Sequence, residues 1–493
     1  MELVYLWVEG YKNIHKQGFN FSPRFDCSYD GKNLTIKKKE HIKDFFGENI
    51  NVTAIVGENG SGKSSIMEIF SSILTLLRNK INFLYILNDG SKNIYYQHGL
   101  NYINSSIPQS TEALFNNIDI YYLNISHLER DGIIKNDAVS IEDPVKYLGV
   151  YEKNDFEKSS DNSFYPTFSE FNLSKFNFFQ TFAITNLLKD IKYKKLLFET
   201  FQIEKPYSIQ IDYSRENLDR IKHDNTLVPN DIRNINESVP EKINDLLTFL
   251  DDSDNKLIIE RDSDLTNFFK LSQAVYNLEK EFKLTFQTKE NKTIKLSAGE
   301  KTILFYLERI DYMLAKIKED KKSTILLFDE IELYLHPMWQ KRILNIILDF
   351  LKVEELESLL HIVIASHSPF ILSDLPKENV IFLQNGKQVD VDINPFGANI
   401  HTLLSHGFFM QDGLMGEFAK EKIEELINYL NDKKSNIKTN DEAQKLLNII
   451  GEPIIKNQLQ RMLDSKRLSK VDKIDLIEEQ IKKLQDELEA MKP

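Results

Sequence analysis

Lys63 closes the run Gly57-Glu58-Asn59-Gly60-Ser61-Gly62 and is followed directly by Ser64 and Ser65. Glycines at this spacing let successive backbone N–H groups converge on phosphate oxygens, while the lysine reaches the terminal phosphates and Ser64 offers a hydroxyl to Mg2+. The chemistry expected is binding of a nucleoside triphosphate. Much further on, Asp329 and Glu330 end the apolar run "ILLFDE". Asp329 is placed to hold the metal and Glu330 to polarise an attacking water, the division of labour that phosphoryl transfer needs. In "LSAGEK", Ser297 and Gly299 open a strongly periodic segment. There the hydroxyl, the backbone N–H groups and the positive helix end make an anion site, or Ser297 and Glu300 form an ordinary capping box. His367 in "ASHSPF" follows one more apolar run, at a spot from which an imidazole can reach a γ-phosphate.

These groups act together only if particular elements carry them. The β-branched run "INVTAIV" precedes the glycine loop, and "IMEIFSSILTLL" follows it with Ile66, Ile69, Phe70, Ile73 and Leu77 at helical spacing. "STILLFDE" and "HIVIAS" read as buried strands, and ligands in α/β sheets gather at the C-terminal ends of such strands. Ile303, Leu307, Ile310, Leu314 and Ile317 predict an amphipathic helix starting near Gly299. "LVYLWVEG", "FNFSPRF" and "NLTIKK" predict strands at the start of the chain. "VIFLQNGKQVDVDI" predicts a hairpin turning at Asn385 and Gly386. Asp390 and Asp392 alternate there with Val389, Val391 and Ile393, so they are expected on its solvent face and not at a metal.

The fold class expected is α/β, a P-loop NTPase head with an inserted, mostly helical subdomain and a helical C-terminal region. Residues 1–129 form the first lobe, 130–285 the insertion, 286–400 the second lobe and 401–493 the helical remainder. Ile474, Ile477, Ile481, Leu484, Leu488 and Met491 keep a heptad, which marks a short coiled coil or a helix docked on its own domain.

Composition narrows the setting. Among 493 residues the single cysteine, Cys27, cannot form an internal disulfide, and no apolar run approaches the roughly 18 residues of a membrane span. "MELVYLWVEGYKNI" lacks a basic start and a long apolar stretch, so no signal peptide is expected; the cytoplasm is the expected location, with no membrane partner. A formal net charge of -13 argues against a surface that coats nucleic acid. Lys189, Lys192, Lys194 and Lys195 lie close in sequence to Tyr193 and Phe198 and could hold a phosphate backbone, but a solvated helix face is the reading favoured for them.

The order P-loop, "LSAGE", "ILLFDE", "ASHSP" resembles the Walker A, signature, Walker B and switch-histidine order of the ABC-type ATPases. "VEGYKNI" resembles the opening of the SMC and RecF type. "DEIELYLHP" is similar to the soluble ATPases grouped with overcoming-lysogenization-defect proteins and to Septu-type anti-phage ATPases. The resemblance implies ATP and Mg2+ as ligands, Lys12 and Asn13 approaching the nucleotide, Gly57 to Ser65 cradling its phosphates, Ser64 and Asp329 holding the metal, Glu330 as base and His367 as γ-phosphate sensor. It also implies that Ser297 and Gly299 act in trans on ATP held by a second subunit, giving a homodimer or higher oligomer. Ala298 stands where that signature has glycine, and "IELYLHP" departs from the transporter D-loop. Asn124 is a candidate Q-loop residue. By the same resemblance the function expected is sensing or regulation of a separate effector nuclease in phage defence, because "VDVD" does not supply a nuclease site in this chain. The alternative is a DNA-repair or chromosome-binding ATPase, for which a nucleic-acid partner is the mark.

Overall fold

The computed structural model describes residues 1–73, 81–111, 118–124, 145–147, 194–202, 206–222, 239–259, 268, 281–354, 356–408, 414–468, 478 and 480–485. The chain forms two compact units, Met1–Gln411 and Asp412–Pro493.

The first unit is built on a seven-stranded sheet in the order 145–147, Ile118–Asn124, Ser323–Asp329, Leu360–Ser366, Ile50–Gly57, Val380–Gln384, Lys387–Val389. Every neighbouring pair is parallel except the last, the hairpin that turns at Asn385 and Gly386. Leu360–Ser366 is buried at every position and Ile50–Gly57 at all but its first. Such continuous apolar strands are what a parallel sheet covered on both faces requires.

One face is covered by the helix Lys63–Ile73, which lies between this sheet and a four-stranded antiparallel sheet in the order Ile14–Asn20, Glu2–Tyr11, Phe83–Asn88, Asn93–His98. Ile66, Ile69 and Phe70 of the helix are buried there with Leu3, Leu6 and Val8. Leu77 lies outside the described residues. On the other face the helix Ala298–Asp320 buries Ile303, Leu307, Ile310, Leu314 and Ile317, the stripe that the spacing predicts. Its Ser297 cap is a full capping box with Glu300.

"FNFSPRF" is not one strand. The pairing of Ile14–Asn20 ends before Pro23, which has no N–H to give a ladder, and a new strand starts at Phe25. The described parts of 130–285 contain helices Lys194–Phe201, Arg215–Lys222 and Val239–Asp252, and they also supply most of an antiparallel sheet ordered Lys256–Ile258, Ser208–Tyr213, Phe282–Gln287, Thr293–Ile294. That sheet is an addition to the expected helices. Lys189, Lys192 and Tyr193 lie outside the described residues. Residues 401–411 fall in the first unit, where Leu403 and Phe408 join the core around the Ala298–Asp320 helix.

The second unit has helices Glu417–Leu430, Asn440–Asn448 and Pro453–Arg467 around Leu426, Ala443, Leu447, Leu459 and Leu463. Of the heptad, Ile481 and Leu484 are exposed; Ile474, Ile477, Leu488 and Met491 lie outside the described residues. No helix among the described residues is long and apolar enough to cross a membrane.

Candidate nucleotide site

Three adjacent parallel strands end level with one another. Val56 pairs with Ser366, and Asp329 pairs with Ala365 on the same strand's other side. The glycine loop, Glu330 and His367 therefore leave the sheet at one edge, neighbouring strands being about 4.8 Å apart. Asn124, the Q-loop candidate, is the register partner of Asp329 at the end of the next strand out.

Lys63 is the buried centre of this edge. Its Nζ donates to the carbonyls of Gly57 and Glu58, each at 2.9 Å. Burial pulls it down to about 8, opposed by the carboxylates of Asp329, Glu330 and Glu332. Burial pushes Asp329 up to about 6, with Glu330 adding to the rise, while the Tyr122 hydroxyl, 3.2 Å from Oδ2, and Lys63 oppose it. Burial and then Lys63 pull the His367 ring below its ordinary range, and Glu330 works the other way. These mutual effects place Lys63, Asp329, Glu330 and His367 within one electrostatic neighbourhood.

Glu330 has φ +53°, a left-handed conformation uncommon outside glycine, while its N–H donates to Ala365 O at 2.9 Å. Strained backbone of this kind concentrates at working sites, where the surroundings hold it. The strand thus ends by turning Glu330 out of the ladder while its backbone stays tied to Leu360–Ser366, the strand that ends beside His367.

The loop fits a triphosphate with Mg2+. Ser61 Oγ is buried with no hydrogen-bond partner, Gly60 has φ +75° with open space where a Cβ would stand, and Ser64 is exposed beside them. Phosphate oxygens are acceptors that can take Lys63 from its two carbonyls, and Ser64 and Asp329 would supply hard oxygen donors of the kind Mg2+ takes. At Gly57 a Cβ would lie 2.2 Å from Leu383 O, so only glycine fits.

Lys12 and Asn13 are both at this corner, in different roles. Lys12 pairs with Glu68 on the loop's helix, and Tyr11 donates to the same carboxylate at 2.9 Å. Asn13 brackets the loop itself: its Nδ2 donates to Gly60 O at 2.8 Å and its Oδ1 accepts from Ser65 Oγ at 3.4 Å. The hairpin holds the loop from another side, Gly386 N donating to Ser61 O at 2.8 Å. Neither bracket was visible in the sequence.

Ser297 and Gly299 lie at a separate corner. Ser297 Oγ accepts from Glu300 N at 3.2 Å and its own N–H donates to Glu300 at 2.7 Å, leaving the exposed hydroxyl its proton to donate. A Cβ at Gly299 would stand 3.2 Å from Trp339 Cδ1, so close packing on that indole favours glycine here. His336 and Pro337 serve as N-cap and first residue of the short helix that carries Trp339, which gives "LHP" a structural task. Asp390 pairs with Lys377 and Asp392 is exposed, as the alternation predicts; among the described residues no acid or histidine cluster suits a metal ion of its own.

The chain is similar to several known proteins. The chain is 24% identical over 395 residues to the "Retron Ec83 probable ATPase" of Escherichia coli, covering 69% of this chain and 68% of that protein. It is 25% identical over 429 residues to the "Retron Vc95 probable ATPase" of Vibrio cholerae serotype O1 biovar El Tor, covering 75% and 76%. Among solved structures, the recombination mediator RecF with ATPrS aligns at TM-score 0.31 and 12% identity over 79% of this chain and 98% of that one. An SmcHead bound to the C-winged helix domain of ScpA aligns at TM-score 0.30 and 12% identity over 78% and 96%. The family described as "AAA domain, putative AbiEii toxin, Type IV TA system" matches residues 52–373, a span that contains the glycine loop, Asp329, Glu330 and His367. With well over half of its length inside that match, the chain belongs to this AAA-domain family and is an ATPase with a P-loop.

Proposed function

We propose that ATP hydrolysis here drives a switch that senses or regulates a separate effector, a nuclease by the resemblance of "DEIELYLHP" to anti-phage ATPases. The observation that carries the hydrolytic part is the level ending of three parallel strands, which sets Lys63, Asp329, Glu330 and His367 at one edge. The relatives named retron ATPases support the defence setting, and the Septu-type reading is a finer form of the same proposal.

In this reading Gly57 to Ser65 bind the phosphates through backbone N–H groups and Lys63, and Ser64 with Asp329 would hold Mg2+, which supplies charge neutralisation at the phosphates. Glu330 takes a proton from the attacking water. His367 orients on the γ-phosphate. Lys63 gives up the Gly57 and Glu58 carbonyls for phosphate, so its burial cost in the free chain is relieved on binding. Ser297 and Gly299 complete the site of a second copy, so ATP joins a homodimer.

Glu330→Gln keeps the side chain's shape and removes the base. Turnover is expected to fall by at least ~100-fold, within the range ascribed to general base catalysis, while a fluorescent ATP analogue still binds. Hydrolysis near the wild-type rate would remove Glu330 from this role.

A further inference from the structure

Two residues beyond the base stands a third acid, Glu332, for which the hydrolytic reading has no use. It is not a solvated strand end: its Oε2 is buried and its Oε1 accepts the backbone N–H of His367 at 2.5 Å. That N–H needs such a partner. The neighbouring strand gives up its ladder at Asp329, because Glu330 turns into the left-handed region and spends its own N–H on Ala365 O. The next N–H after Leu360–Ser366 therefore meets no strand carbonyl, and an unpaired buried donor costs about 1–3 kcal/mol. Gln340 secures the following residue from the same segment. Its Oε1 accepts from Ser368 Oγ at 2.9 Å, and its Nε2 donates to Leu335 O at 3.0 Å.

We infer that Glu332 is a positioning residue for hydrolysis: its carboxylate pins the backbone at His367 and so fixes the imidazole relative to Glu330, with Gln340 holding Ser368 as a second tie. A neutral acceptor would pair the N–H at less electrostatic cost beside Asp329 and Glu330. A carboxylate accepts a shorter and stronger bond, which suits a place where small displacements matter. An error near 1 Å in a reacting group costs on the order of 10²-fold in rate. Glu332 is assigned to positioning and not to the base because Oε1 is held by the His367 N–H and Oε2 is buried away from solvent, out of reach of an attacking water.

This inference rests on the reading of His367 as γ-phosphate sensor, so the test has an arm for each. His367→Ala alone tests the sensor and is expected to lower kcat. Glu332→Asp keeps the charge and withdraws the acceptor by about 1.5 Å, one C–C bond. Its kcat is expected to fall roughly tenfold to hundredfold, with the dissociation constant for a fluorescent ATP analogue within about threefold because the loop is untouched. Glu332→Gln, which keeps both reach and an accepting oxygen, should restore most of the loss. In a His367→Ala background Glu332→Asp should cost less than about twofold, since the group it positions is gone. Gln340→Met, which keeps bulk and removes the second tie, gives the same cycle with a smaller loss and serves if Glu332→Asp does not fold. Wild-type kcat in Glu332→Asp, or an equal loss in both backgrounds, overturns the proposal. A Glu332→Gln loss as deep as that of Glu330→Gln also overturns it, by making Glu332 the base. Full activity in His367→Ala defeats the sensor reading in its own arm, and the positioning proposal falls with it.

Discussion

Lys63 and His361 are both buried and both held below their ordinary pKa by burial, yet of the two only Lys63 lies at the candidate nucleotide edge. Lys63 sits where charge is to arrive, with acids nearby and carbonyls it can exchange for phosphate. His361 begins the same strand that ends beside His367, at the far end of the sheet, and is packed among Thr53, 2.9 Å from its Nε2, and Asn51 at 3.3 Å. Burial pulls it to about 3, so it stays neutral when folded, while the unfolded chain protonates it below about 6.5. The penalty is absent above that pH and grows as pH falls from 6.5 toward 3. By pH 5 it reaches about 2 kcal/mol. His361→Gln removes the titration and keeps the hydrogen-bonding capacity, so wild type should lose about 2 kcal/mol more than the variant between pH 7.5 and pH 5 in denaturant unfolding. Equal acid sensitivity of the two would refute it. The residues of the nucleotide edge were legible because each ends an apolar run in a fixed order. Glu332 was not, because its task is set by where the neighbouring strand stops.

The phosphate loop is shaped by elements that are remote in sequence. Asn13, from the turn between the first two strands, and Gly386, from the hairpin, both reach it and also meet each other: a Cβ at Gly386 would stand 2.1 Å from Asn13 O. The Asn-Gly turn itself is plain in the sequence, and both of its residues have positive φ, +50° and +76°. Its contact with the loop is invisible there, since turn chemistry is local and the contact is not. The same limit explains the antiparallel sheet in the insertion. "SIQIDY" alternates, with Ile209 and Ile211 buried, but a short strand among helical stretches acquires its meaning only from its partner at Phe282–Gln287. Gly386→Ala combines a strained φ with that clash and should push Asn13 and Ser61 apart. ATP-analogue affinity is expected to fall about tenfold, the effect of ~1.4 kcal/mol. Gly397→Ala is the control, since Gly397 has φ +70° and open space around it. An equal loss in both variants would show that backbone strain alone, and not the bracket, sets the affinity.

The proposed function directs two helix starts of each subunit at phosphate, Lys63–Ile73 and Ala298–Asp320, and the second keeps its serine hydroxyl exposed with a proton to donate. If each serves a different nucleotide, neither subunit is complete alone, and the site belongs to the dimer. Ser297→Arg puts a long cation into the closing surface and removes the hydroxyl, while Lys63 and its loop keep their contacts, so ATP binding should survive and hydrolysis should not. Lys63→Ala fails at the other half. When the two variants are mixed and exchange subunits, one composite site of the hybrid carries both defects and the other carries neither. With free exchange at equal amounts half of the dimers are hybrids and half of their sites are intact, so about a quarter of wild-type activity should return. No recovery under demonstrated exchange means either that both sites must fire together or that the sites are not shared. Wild type mixed with a Lys63→Ala/Ser297→Arg double variant separates these outcomes. Its hybrids pair every intact half-site with a defective one, so sharing predicts activity below the fraction of wild-type chains, whereas sites contained within one subunit predict activity equal to that fraction.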